Sequence, residues 1–436
     1  MFRRVFPKPL ACLALIGMIG LVGCEKEVIL PGEREDIRAT DVELTNESRS
    51  IRLAAQTANQ TWTQGAGTPA YRTTHPALRS APALAWSASI GEGNSRRQRI
   101  TAEPIVSGGL IYTLDAQATV TATATNGGRV WSTELTPARD SEKDATGGGM
   151  AIYNGRLYVS SGFGLLTTLD AKTGAILWQQ KLDATGSGQP TVVDGLIYLV
   201  AGDNTGWAIK TDDGRIAWQI SGTPSLSNVL GAPAPAVAGK YAVFAFGSGD
   251  LTAVFRRGGL RRWSGSVAGQ RVGRSVSQVS DITGAPMIVG GTVYAGNHSG
   301  RLSSFDLESG DLNWVALEGA LSNIWPGGDS LFVITDRLQL ARISTADGQV
   351  VWAQDLPGFI KDKPRRRGPV YAHYGPVVAG GRVAVASGDG VLRFFKPEDG
   401  SLVHQVQIPD GAASAPVVAG QTLYVLSQKG QLHAFR

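Results

Sequence analysis

The sequence predicts an all-β fold, an eight-bladed β-propeller of four-stranded blades whose last blade is closed by an N-terminal strand. Three observations carry this. First, the spacing Gly-x-x-x-Trp recurs at Gly127/Trp131, Gly174/Trp178, Gly214/Trp218, Gly259/Trp263, Gly310/Trp314 and Gly348/Trp352, with Gly400/His404 as a seventh register. Second, each copy follows a short apolar run, a glycine turn and an alternating strand, as in "GQPTVVDGLIYLV" and "SAPVVAGQTLYVLS". Such a unit reads as four strands parted by Asp-Gly, Gly-Gly or Ser-Gly turns, and spacings of 38 to 52 residues between successive tryptophan slots match a propeller period. Third, the stretch from Ser414 to Arg436 supplies only three strands, while "PALAWSASI" (82–90) is an orphan strand with Trp86 in the fourth-strand style. Joining the two completes an eighth blade and leaves no open edge in the ring.

The elements follow in chain order. Residues 1–23 carry Arg3, Arg4 and Lys8, then an apolar stretch from Leu10 to Gly23, 14 residues long. That is short for a bilayer span and reads as a signal peptide. "LVGC" ends at Cys24 and resembles a bacterial lipobox, which implies acylation of Cys24 and a chain anchored to a membrane without spanning it. Ordinary secretion, with Cys24 merely near the cleavage site, is the other reading. Glu25 stands where the resembled sorting rule uses Asp for inner-membrane retention, which implies delivery to the outer membrane, on its periplasmic face. Residues 24–81 are polar and poor in aliphatics and read as a tether, with Trp62 of "NQTWTQ" available to dock on the folded part. Residues 82–436 form the propeller.

Within the propeller, Trp86, Trp131, Trp178, Trp218, Trp263, Trp314 and Trp352 are expected to fill the gap between neighbouring blades, since an indole buries roughly 150–250 Å². The glycine supplies the turn from third to fourth strand, where positive φ is often needed. Repetition favours packing over ligand binding, because a cofactor needs one site. His404, in a tryptophan slot, reads as structural.

Composition excludes several classes of function. The chain has 436 residues, 42% of them apolar, 56 glycines and a net charge of +5. Length alone suggests two or three domains, but a repeat array overrides that prior. Mild basicity without a clustered, aromatic-interleaved patch argues against nucleic acid. The two cysteines, Cys12 and Cys24, leave the rest of the chain no disulfide and no thiolate metal site. Five histidines, His75, His298, His373, His404 and His433, show no ligand spacing. No nucleophile elbow, phosphate loop or His-Glu-x-x-His occurs, and "GGGM" (147–150) precedes no helix. Asp203 and Asp250 lie in hairpin-turn sequences. The chain is therefore expected not to be an enzyme and to take no cofactor.

Two features stay open. "KDKPRRRGP" (361–369) and "FRRGGLRRW" (255–263) are either solvated surface or contacts to anionic lipid headgroups or an acidic partner. Trp207 and Trp325 lie outside the repeat slot and are either buried or exposed on a rim.

"DAKTGAILW" and its copies resemble the tryptophan-docking repeat of quinoprotein-like eight-bladed propellers over residues 82–436. Two families share that repeat, the quinone-dependent dehydrogenases and the BamB family of outer-membrane β-barrel assembly lipoproteins. The dehydrogenases add a Ca²⁺ site, an aspartate base, an adjacent cysteine pair and large insertions; the pair and the insertions are missing here. Lipobox, tether and a single propeller together resemble the BamB family. That resemblance implies a scaffold that binds BamA through its POTRA domains and other assembly-machinery subunits, and that assists nascent outer-membrane proteins. It places partner contacts on "SLSNVLGAPAP" (225–235), with Leu226, Val229 and Leu230, and on "SDITGAP" (280–286), with Asp281. Leu230 falls where the family pattern has an arginine, and Thr283 replaces the second acid of an Asp-x-Asp. Arg271 and Arg274 lie nearby to compensate. A divergent quinoprotein dehydrogenase and a generic periplasmic binding propeller are the alternatives.

Overall fold

The computed structural model describes residues 46–65, 67–70, 75–184, 188–225, 232–267, 269–271, 279 and 281–436. Its compact unit runs from Leu44 to Arg436. Eight four-stranded antiparallel sheets follow one another around a ring. Blades 1 to 7 occupy residues 105–134, 148–181, 191–221, 236–266, 282–316, 325–355 and 373–407. Within a blade the strands are lettered A to D from the channel outward. Strands A of neighbouring blades contact one another around that channel from blade 1 to blade 5 and between blades 6 and 7.

Blade 8 takes strands A to C from Val417–Ala419, Thr422–Leu426 and Gln431–Phe435, and strand D from Leu84–Ser89. Leu84 pairs with Phe435 and Ser89 with Gln431. Ala83 and Arg436 exchange backbone hydrogen bonds at 2.8 and 2.9 Å beyond the register. The two ends of the propeller thus meet in one sheet, as expected from Trp86.

The repeated tryptophan joins each blade to the next. Trp86, Trp131, Trp178, Trp218, Trp263, Trp314 and Trp352 each donate Nε1–H to a backbone carbonyl in the following blade, at 2.8 to 3.3 Å. Each indole also lies on the repeat glycine of that blade; Gly174 meets Trp131 and Gly400 meets Trp352. Within their own blades Trp86, Trp131, Trp178, Trp218 and Trp314 pack on the strand-B tyrosine, with ring centroids 5.9 Å apart for Tyr112 and Trp131, and Trp352 packs on Phe332, whereas Trp263 stacks on Phe305 of the following blade. Alternation then does the rest. Strand D reads exposed, exposed, half-buried in turn, whereas strands B and C are buried on both faces and read as apolar runs.

The described residues among 46–83, most of them in the stretch read as a tether, form a strap across the ring. Asn46 and Glu47 bond to Ala353 and Val351 on the outer edge of blade 6. The strap then bonds to the strand A edge or its A–B turn in blade after blade. Asn59 carbonyl accepts from Gly420 at 2.7 Å, and Trp62 exchanges bonds with Val106 at 2.7 and 2.8 Å. Thr63 accepts from Ile152, Pro69 from Val237, Ala70 from Ile288 and Pro76 from Gly380, at 2.7 to 2.9 Å. Gln64 Oε1 accepts from Val192 at 2.9 Å in blade 3. In blade 6, Trp62 stacks on Trp325 with centroids 5.9 Å apart. Two buried arginines hold the strap: Arg342 donates to the carbonyls of Arg49 and Ser50, and Arg382 to those of Arg79 and Ser80. The segment has few apolar residues because it satisfies backbone edges rather than filling a core.

Candidate partner-binding site

Antiparallel blades have two chemically different ends. The A–B and C–D hairpin turns share one face of the ring; the B–C turns and the D–A connections between blades share the other. The strap bonds next to the A–B turns, so it closes the channel at the hairpin face. The described ends of the connections after blades 3 and 4 lie at the opposite, loop face; the expected contact stretch 225–235 falls in the first connection, whereas 280–286 runs from the end of the second into strand A of blade 5, Ile282–Val289.

Leu226, Val229 and Leu230 lie outside the described residues, as does Arg274. Asp281 is described and only 5% exposed. It immediately precedes strand A of blade 5, and its carbonyl accepts from the backbone N–H and the Nδ1–H of His298 at 3.4 and 3.2 Å. Thr283, where the family pattern has an acid, lies in strand A of blade 5 and donates its hydroxyl at 2.5 Å to the carbonyl of Ala320, in the connection between blades 5 and 6.

Arg271 belongs to an ionic cluster that spacing does not reveal. Its guanidinium is bidentate to Asp336 at 2.7 and 3.0 Å and reaches Glu318 at 3.1 Å; Arg337 meets the other oxygen of Glu318 at 2.6 Å. Burial pushes the Glu318 carboxyl above its ordinary range, while Arg337 and Arg271 oppose that rise. Residues from the connections after blades 4 and 5 and from the B–C turn of blade 6 meet here, so the cluster fixes loops of this face to one another. Its members are scattered over more than sixty positions, which is why only Arg271 was legible beforehand, by proximity.

Other flagged residues have structural partners. Trp207 and Trp325 are 3% and 1% exposed, which removes both from the rim. Asp203 caps its turn by accepting from the Thr205 N–H at 2.9 Å. His373 and His433 repeat one arrangement: Nε2–H donates to the Pro357 or Pro409 carbonyl, and Nδ1 meets the hydroxyl of Ser387 or Ser87. A carbonyl can only accept, so Nε2 carries a proton in both rings, and burial, which holds both below the ordinary histidine value, favours the neutral form with Nδ1 accepting from the hydroxyl.

Along the axis, Trp62, Trp325, Glu103, Asn323, Pro376 and Pro416 leave a space of about 10 Å³ between them. That holds one water, whereas sites for cofactor-sized ligands span about 300–1,000 Å³. Glu103 accepts from Asn323 at 2.6 Å across this space. Among the described residues, no group of three or more His, Cys, Asp or Glu side chains is placed to hold a metal ion.

Eight blades, tryptophan-on-glycine docking and closure between distant strands define a propeller of the quinoprotein type. In that class, the fold is similar to a quinohemoprotein alcohol dehydrogenase from Pseudomonas putida HK5, with a TM-score of 0.63 at 14% identity over 86% of this chain and 80% of that one. A family model described as "Outer membrane protein assembly factor BamB" matches residues 116–354 and 363–436, and the chain belongs to the BamB family. Assembly factor BamB of Yersinia pestis is 26% identical over 361 residues, 81% of this chain and 88% of the relative. That of Escherichia coli K12 is 25% identical over 365 residues, with the same coverage. The crystal structure of BamB from Moraxella catarrhalis aligns with a TM-score of 0.67 at 17% identity, covering 82% of this chain and all of the other.

Proposed function

We propose that this chain is a lipid-anchored, non-enzymatic scaffold on the periplasmic face of the outer membrane. It binds the POTRA domains of BamA with other subunits of the machinery, and assists folding and insertion of outer-membrane β-barrel proteins. The observation that carries this reading is membership of the outer-membrane assembly factor family across most of the propeller. Acylation at Cys24 supplies the anchor. In this reading the stretches at 225–235 and 280–286 supply the partner surface: the first brings apolar Leu226, Val229 and Leu230, and the described residues Ser225 and Asp281 adjoin the face opposite the strap. Asp281, being buried, acts in this reading by setting the path of its connection rather than by offering a charge.

The rest of the ring suits a scaffold. Strand D carries exposed apolar residues such as Val130, Ile176, Leu177, Ile216 and Leu402 on the rim. An extended segment of a client could add to such an edge. In blade 6 the chain's own Asn46 and Glu47 already bond along it.

Co-purification from membranes tests the reading. The wild type is expected to bring down BamA, and Leu226→Glu with Leu230→Glu to lose it without a change in melting temperature. Absence of BamA from the wild-type eluate sinks the partner claim; retention by the double variant sinks the site. The quinoprotein alternative is served only by dye-linked alcohol oxidation after loading with quinone and Ca²⁺.

A further inference from the structure

The connection between blades 6 and 7, residues 356–372, is the longest between any two blades. It is an ordered finger. Phe359 and Val370 pair as an antiparallel bridge, Ile360 N–H donates to Pro369 at 3.0 Å, and Tyr371 N–H to Gly358 at 2.9 Å. A 3-10 turn, Pro364–Arg366, forms the tip. Arg367 pairs with Asp362 at 2.9 Å and lies 5.5 Å over the Phe359 ring. The finger's one carboxylate is thereby occupied. Lys361, Lys363, Arg365 and Arg366 are exposed and form no ion pair among the described residues. Beside them Phe359, Ile360 and Val370 are 43%, 48% and 43% exposed.

A charge of this sign and density next to exposed aromatic and aliphatic side chains is the chemistry of an interfacial membrane contact. Cations gather at lipid phosphates while the apolar groups enter the acyl boundary. Position supports it. Strand D of blade 6, Val350–Asp355, leads directly into the finger, and Asn46 bonds at Ala353 near that end. Asn46, the first described residue, therefore lies beside the root of the finger. Residues 355–362 also fall between the two stretches matched by the family model.

We propose that residues 356–372 bind an anionic phospholipid surface, with Lys361, Lys363, Arg365 and Arg366 on headgroup phosphates and Phe359 and Ile360 inserted among the lipids. The proposal goes beyond the scaffold reading and needs neither BamA nor acylation of Cys24.

The test uses the chain without its first 23 residues, which retains the whole compact unit, carrying Cys24→Ser so that no acyl chain contributes. It is sedimented with vesicles of phosphatidylethanolamine and phosphatidylglycerol, or of phosphatidylcholine alone. At about 0.1 M salt the wild type binds the anionic vesicles at least about tenfold more tightly, and salt weakens that binding. Lys361→Glu with Arg365→Glu and Arg366→Glu lowers it by at least about tenfold. Phe359→Ser with Ile360→Ser removes the fraction that resists salt. Both variants melt with the wild type, since the changed side chains are exposed. Equal binding to both vesicles, no binding to either, or a triple variant that binds like the wild type overturns the proposal. So does a result in which the triple variant loses only an acidic protein partner. Co-purification of BamA is read separately and reports on the connections after blades 3 and 4.

Discussion

A Cβ placed on Gly174 would lie 2.5 Å from Trp131 Cε3, and its φ is +74°. Gly155 has the same backbone, φ +73°, with nothing within 4 Å. Alanine at either position takes the left-handed cost of about 1–2 kcal/mol. Only Gly174→Ala adds a clash with the docked indole, so it is expected to destabilise by about 2–4 kcal/mol in all. Denaturant unfolding of the two variants separates the roles; equal midpoints would mean the repeat glycine serves the turn alone. His404 shows the same logic in reverse. It packs on Phe394 with centroids 5.6 Å apart, on the side of blade 8. Blade 8 has no C–D hairpin, since its strand D comes from the other end of the chain. The turn that receives an indole elsewhere does not exist there, and the tryptophan can lapse.

The blades were legible because one spacing, Gly-x-x-x-Trp, records both a turn and a docking contact in every register. The closing strand was legible through Trp86 alone. The strap was not. Its bonds to Val106, Ile152, Val237 and Ile288 are made by backbone groups, which any sequence supplies, and its apolar contribution is concentrated in Trp62. The candidate site was less legible still: connections between blades have no period, and neither the burial of Asp281 nor the Arg271 cluster leaves a trace in spacing. If the strap is a structural element, Trp62→Ala should cost about 3–5 kcal/mol, as for a core aromatic. A loss below about 1 kcal/mol would return the segment to the status of a loosely laid tether.

At the scale of the ring, closure rests partly on a titrating group. His433 in strand C of blade 8 meets Ser87 in strand D at 2.7 Å. Burial holds the His433 ring below the ordinary histidine value of 6.5, with the Pro409 hydrogen bond opposing it, and burial does the same to His373. Because the folded-state values are depressed, the unfolded chain binds more protons as the pH drops. The contribution is complete above about pH 6.5 and is lost as pH falls below it. The melting temperature is expected to fall between about pH 7 and about pH 5, and His373→Gln with His433→Gln to flatten that slope. An unchanged slope in the double variant would place the acid sensitivity elsewhere.

Among the described residues, strand Leu84–Ser89 has its only ladder partner in Gln431–Phe435. During synthesis, the first strand made is therefore the last to be satisfied, and it waits while seven blades are laid down behind it. A message cut short anywhere before codon 431 yields a horseshoe with two bare ends, open to proteases and to like horseshoes. The ring certifies its own completeness: only a ribosome that has read through both halves of blade 8 releases a chain that can hide its edges.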